Sequence, residues 1–236
     1  MVGSVAKGIL LHMHGSQPDE MIDELVTAAH ALSRAGLVTA FGHLSCRMAP
    51  GRLLITPPVA PGRITSSMEW VELDVESGIL PAGVPREAWI HLAIARVRPD
   101  VAAICRAQPP IATALASAGV PIVPLHGQGT YVGALVPVFD DAVLVRDETR
   151  AVELARELGQ SPALVLRGNG AVTVGANIGE AVARMWVLEA SAHMNSVAAA
   201  AGKPAPLSRA EQAAWQGTST EILGRIWDYL RRPTER

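Results

Sequence analysis

The chain has 236 residues, and its 20 Lys and Arg against 22 Asp and Glu give a formal charge of -2 and a pI near 6.4, which leaves no electrostatic footprint for nucleic acid or an anionic membrane. That length supports one sizeable hydrophobic core, so one domain over residues 1–236 is expected. Cys46 and Cys105 build neither a disulfide framework nor a CxxC clip, and no apolar stretch reaches the ~20 residues needed to cross a bilayer; the expectation is a soluble cytoplasmic protein with a small-molecule partner.

The N-terminal "MVGSVAKGILLHMHG" is broken by His and Gly before a signal-type apolar region forms. Its His12 and His14 make an H-x-H without a third ligand nearby, which reads as a frayed strand and not a metal site. "PDEMIDELVTAAHALSRAGLV" carries Met21, Leu25, Ala28, Ala29 and Leu32 at helical period, with Asp19 as N-cap and Gly36 as stop. "HLSCRMAPGRLLITPP" alternates and breaks at Pro50-Gly51, the pattern of a hairpin, and "WVELDVESGIL" reads as a strand entering a turn at Ser77-Gly78.

From Pro85 the period is helical again: "REAWIHLAIARVRPD" sets Trp89, Ile90, Ala93, Ile94 and Val97 at core spacing and stops at Pro99. "VAAIC" follows as a buried strand, "PPIATALASAG" as a helix with Pro110 in its first turn, and "PIVPL" as a further strand. "TRAVELARELGQS" is an amphipathic helix, "PALVLRGNGAVTVGA" two strands around a glycine-rich turn, and "IGEAVARMWVLEASAHMNSVAAAAG" a long, largely buried helix. The tail "SRAEQAAWQGTSTEILGRIWDYLRR" is helical, with Ser208 and Glu211 spaced as a capping box. Helices alternating with short strands predict an α/β fold, a sheet covered on both faces.

In order and spacing, "FGHLSCRM", "LLITPP", "PREAWIHLAIARVRPDVAAI", "LVLRGNGAVTVG" and "EAVARMWVLEASA" resemble the class II aldolase/adducin family over roughly Glu20 to Gly202. "GHLS" and "ITPPVAPGRIT" look closer to its subgroup that processes hydroxylated aromatic acids, often by decarboxylation, than to the sugar-phosphate aldolases. The resemblance implies a three-layer α/β/α sandwich with a mixed, mostly antiparallel sheet, and a homotetramer with active sites between subunits.

In that family three histidines hold a divalent metal; the matching positions here are Arg106, Gln108 and Asn169. A guanidinium stays protonated and ligates no cation, and a carboxamide offers only a neutral oxygen. The expectation is therefore no metal cofactor, with Arg106 supplying the positive charge and Gln108 and Asn169 hydrogen bonds around a carboxylate or a developing oxyanion. Glu87 matches the family's acid/base, and His91 four residues on would share its helix face, so the two would exchange or orient a proton.

The family's phosphate cradle is mostly replaced: its positions read His43, Pro58, Val59, Pro85 and Arg86, and prolines remove the backbone donors such a cradle needs. An unphosphorylated substrate is implied, with His43, Ser45 and Arg47 of "GHLSCR" reading a carboxylate or phenol, though Arg47 fits a surface ion pair better. The loop "PLHGQGTYVG" places Tyr131 in the site, with His126 and Gln128 as lining. Glu189 reads as a structural carboxylate paired with an arginine, and Trp215, Trp227 and Tyr229 as interface or core. The reading is a lyase working through an enolate-like intermediate by decarboxylation or retro-aldol cleavage. A metal-free isomerase, dehydratase or cyclase, or a non-catalytic aldolase-like binding module, would fit the same residues.

Overall fold

The computed structural model describes residues 17–232, so His12 and His14 lie outside the described residues. Among the described residues no helix is long and apolar enough to cross a membrane. The elements run α1 (Gln17–Arg34), β1 (His43–Ala49), β2 (Arg52–Ile55), β3 (Val71–Asp74), α2 (Trp89–Val97), β4 (Ala103–Ala107), α3 (Pro110–Ser117), β5 (Val138–Phe139), α4 (Glu148–Leu158), β6 (Ala163–Leu166), β7 (Gly170–Gly175), α5 (Ile178–Ala201), α6 (Arg209–Gln216) and α7 (Ser219–Arg231).

The strands form one sheet in the order β3-β2-β1-β4-β7-β6-β5. Every pairing is antiparallel except β5 with β6. The β1–β2 hairpin turns at Gly51, whose φ of 74° is the left-handed conformation that glycine adopts without strain. The sheet is mixed and mostly antiparallel, as the family resemblance implies.

Period-2 alternation divides its side chains between two cores. Leu44, Cys46, Ala103, Cys105, Ala107, Val165 and Ala171 meet α1, α3, α5 and α7 on one face. Ile104, Leu164, Leu166, Val172 and Val174 meet α2 and α4 on the other. These are the three layers. Burial pushes the thiols of Cys46 and Cys105 up to about 12, so both pack as small apolar groups.

Three details depart from the sequence reading. "PIVPL" is not a strand: Pro121 and Pro124 have no N–H for a ladder, and the α5 side chain of Asn195 takes the partner's place, accepting from Val123 N at 3.3 Å and donating to Val123 O at 2.8 Å. The edge strand beside β6 is instead the two-residue β5, too short for any periodicity to reveal. Val97 is 59% exposed, because it closes α2 while Leu92 and Ala95 fill the core beneath β2 and β3.

The capping box at Ser208 and Glu211 is present. Asp19 falls inside the first turn of α1, where its carboxylate faces the positive end of the dipole. Of the tail aromatics, Trp215 lies on Gly127 and Trp227 on Gly179, so close that a Cβ at either glycine would meet the indole. Tyr229 stays exposed.

Candidate active site

Because β1 and β4 run antiparallel, the first residue of β1 and the end of β4 meet at the same edge of the sheet, and His43 and Arg106 are directly paired. By alternation both point to the α2 face, as do Ser45 and Arg47. The β6–β7 turn brings Asn169 to the same edge. Gly170 makes this approach possible: its φ is 121°, and a Cβ there would lie 2.3 Å from Ala107 O. Glu87 arrives from the other side, in the short 3₁₀ turn Arg86–Ala88 ahead of α2.

These groups surround a cleft of about 460 Å³, lined by His43, Glu87, Arg106, Gln108, Arg146 and Asn169. Its rim carries Phe41, Val59 and Leu144, exposed apolar side chains around a cationic floor. A larger concavity of about 590 Å³ between α1 and α7 holds, among the described residues, no buried polar atom without a partner. The cleft holds two such atoms, His43 Nε2 and Arg106 Nε. Buried polar atoms without partners are costly, and two on residues that line one cleft mark it as the candidate place for a ligand.

Arg106 is 3% exposed. Its Nη2 donates to Asn169 O at 2.9 Å and to Asn169 Oδ1 at 2.7 Å. Burial lowers its pKa from the ordinary value and Glu87 opposes that shift, yet a guanidinium remains cationic at neutral pH. Glu87 Oε1 accepts from Arg146 Nε at 2.7 Å, so the carboxylate lies between two guanidinium groups.

His91 is fully buried behind His43. Its Nε2 shares a hydrogen bond of 2.6 Å with His43 Nδ1, and its Nδ1 shares one of 2.6 Å with Ser45 Oγ. Burial is the main reason both imidazoles resist protonation: His43 falls well below 6.5 and His91 to about 3, with Arg106 adding to both effects. Both rings are neutral at physiological pH.

The structure thus brings His43, Glu87, Arg106, Gln108 and Asn169 to one cleft, with Ser45 and His91 joined to it through His43. It does not pair Glu87 with His91. Helical i,i+4 spacing does not apply across the 3₁₀ turn, and His91 turns inward to His43 and Ser45. Arg47 donates to the carbonyls of Val101 and Ala95, tying β1 to α2.

Within one chain Tyr131 and His126 lie away from the cleft. Tyr131 is buried with its hydroxyl 2.8 Å from Thr218 Oγ1, and His126 Nε2 is 3.1 Å from Ser191 Oγ of α5, as is fitting for the loop's packing on α5 to α7. Glu189 accepts from Ile111 N and Ala112 N, both at 2.9 Å, and so caps α3 instead of pairing with an arginine. The sequence reading missed Arg146, Phe41 and Leu144. Arg146 precedes the N-cap of α4, and nothing local to it announces a partner 59 residues away.

The donor set does not fit a divalent cation. Arg106 fills the centre with positive charge and already engages the amide oxygen of Asn169. No group of three or more His, Cys, Asp or Glu that would hold a metal occurs among the described residues.

Residues 23–196 match the family model described as Class II Aldolase and Adducin N-terminal domain. The chain is 33% identical over 205 residues to the 3,4-dihydroxyphthalate decarboxylase of Terrabacter sp. (strain DBF63), covering 80% of this chain and 84% of that one. The protein of the same name from Rhodococcus jostii (strain RHA1) is 30% identical over 188 residues, covering 73% and 77%. Among solved structures, L-fuculose 1-phosphate aldolase from Glaciozyma antarctica PI12 superposes with a TM-score of 0.76 over 92% of both chains at 22% identity, a likeness of fold.

Proposed function

Because this chain belongs to the class II aldolase and adducin family, we propose that it is a decarboxylase that acts, without a divalent metal, on a small unphosphorylated aromatic acid carrying a ring hydroxyl. The relatives named as decarboxylases support a lyase-type enzyme acting on a carbon–carbon bond. The observation that carries the finer reading is the cleft itself: a buried guanidinium with an unused N–H, a carboxylate beside it, and an apolar rim around a space of about 460 Å³.

The chemistry follows from these groups. With an ionised ring oxygen ortho or para to the carboxylate, Glu87 takes a proton from solvent and delivers it to the ring carbon that bears the carboxylate, and the ring oxygen becomes a dienone carbonyl. The carbon–carboxylate bond then breaks, carbon dioxide leaves, and the electron pair returns through the ring to that oxygen. Arg106 stabilises the oxyanion as it forms, in a site where burial strengthens the interaction. One proton is taken up per turnover, and solvent restores it to Glu87. The same family reading carries with it a cytoplasmic homotetramer.

The test is carbon dioxide release from a panel of hydroxylated benzoates and phthalates. Glu87→Gln is expected to lower turnover by roughly 100-fold or more while the fold survives. Activity on sugar phosphates with none on any aromatic acid would overturn the reading.

A further inference from the structure

The Ser45–His91–His43 chain has a direction, and Ser45 sets it. Ser45 is 1% exposed, and its hydroxyl has one hydrogen-bond partner among the described residues, His91 Nδ1 at 2.6 Å. If His91 donated to Ser45, the hydroxyl proton would be buried without an acceptor, the costly case for a polar group. Ser45 O–H therefore donates to His91 Nδ1. A neutral imidazole then carries its proton on Nε2, and His91 Nε2–H donates to His43 Nδ1 at 2.6 Å. The same rule places the proton of His43 on Nε2, the ring nitrogen left without a partner where His43 lines the cleft.

We propose that His43 Nε2–H and Arg106 Nε–H, from residues paired across β1 and β4, form a two-donor receptor for an acceptor-only oxygen anion, and that Ser45 and His91 act as positioning residues fixing His43 as a donor. Both donors belong to side chains at least nine-tenths buried, and both lack a partner among the described residues. Of the side-chain acceptors that line the cleft, Asn169 Oδ1 is already engaged by Arg106 and Glu87 Oε1 by Arg146. A phenolate oxygen accepts from two N–H donors more strongly than a neutral phenol oxygen does, so the receptor favours the ionised form. Burial keeps both imidazoles neutral, so the donor on His43 is not lost as pH rises through the neutral range.

This deepens the decarboxylase reading by naming what holds the ring oxygen, but it is testable without turnover. Nitrogen-15 NMR of histidine-labelled whole protein reads the tautomers directly. Protons on Nε2 of both His43 and His91 are expected; protons on Nδ1 of both would overturn the proposal. Binding of 4-nitrophenol, whose ionised form is coloured, and of benzoate then distinguishes a ring oxygen from a carboxylate as the anion. Ser45→Ala is expected to give mixed tautomers at His43 and to weaken the bound anion roughly tenfold, with Ser45→Thr restoring both. Unchanged tautomers and affinity in Ser45→Ala, or anion binding unaltered by His43→Phe, would sink it. Anion binding with no carbon dioxide release from any acid would instead overturn the decarboxylase reading and leave the receptor standing.

Discussion

Arg146, from the loop before α4, holds Glu87 through a hydrogen bond of 2.7 Å from its Nε to Oε1. The pair is partly exposed, with Arg146 the more open side chain. Ion pairs of this kind contribute about 0.2–1 kcal/mol to stability, so Arg146→Ala is expected to unfold at nearly the wild-type temperature. Its effect belongs on the reaction, because Glu87 loses the group that fixes its angle to the ring. A fall in kcat of roughly tenfold or more with little change in thermal midpoint is the expected pattern, read by steady-state kinetics beside calorimetry. Equal losses in stability and rate would make Arg146 a structural residue.

In the proposed reaction Arg106 supplies the charge that a metal would otherwise bring, and this separates two kinds of enzyme within one family. Decarboxylation is expected to survive dialysis against a chelator. Arg106→Ala is expected to lose on the order of 100-fold or more in kcat, and added zinc or manganese should not restore it. Arg106→Lys keeps a charge that can still reach Asn169 O and Oδ1, which one nitrogen, Nη2, engages in the wild type, but it loses the unpartnered Nε–H, so it should recover only part of the loss. Activity abolished by the chelator and recovered with a divalent ion would refute metal independence.

The site residues were named in the sequence through the family resemblance, and the strand read at "VAAIC" stops at Cys105, whereas β4 runs on to Ala107 and so includes Arg106; the faces they occupy follow from alternation. His43, Ser45 and Arg47 at every second residue of β1 had to share a face, and β4 had to present Arg106 between the inward Cys105 and Ala107. The helix–strand order and the hairpin at Gly51 were written in period and turn chemistry. What was not legible depended on reach across the fold. Glu87 and His91 look like a helical pair until the 3₁₀ turn separates them, and no spacing joins Glu87 to Arg146 or His91 to Ser45. Likewise "PIVPL" reads as a strand because its apolar residues fit one, while the donors that decide the matter sit on Asn195 of α5.

The buried imidazole pair should make the fold acid-sensitive. The ordinary histidine value is 6.5, and in the folded protein His91 titrates at about 3 and His43 well below 6.5. Below pH 6.5 the unfolded chain binds protons that the folded chain refuses, so the contribution to stability is full above that pH and is lost as pH falls towards about 3. Each histidine adds a slope of up to ~1.4 kcal/mol per pH unit within the window. Urea denaturation between pH 7 and pH 4 is expected to show this steep dependence, and His91→Gln should flatten it. A wild-type profile flat across this range would mean that the pair is not buried as described.

Glu189 tests a different link, from sequence to helix termination. Helix α3 begins at Pro110 behind Pro109, so no side chain at its N-cap accepts from the first turn. Those N–H groups point instead at α5, where the Glu189 carboxylate takes Ile111 N on one oxygen and Ala112 N on the other, both at 2.9 Å. A charge-assisted cap at the positive end of a helix is worth about 1–2 kcal/mol. Glu189→Ala is expected to destabilise by that amount or slightly more, since two donors then lie unpaired in a half-buried seam. Glu189→Gln retains one accepting oxygen and should cost about half as much. The cleft lies elsewhere, so kcat on any substrate that turns over should stay near the wild-type value in both variants. A large kinetic loss in a fully folded Glu189→Gln protein would show that the α3–α5 seam reaches the active site after all.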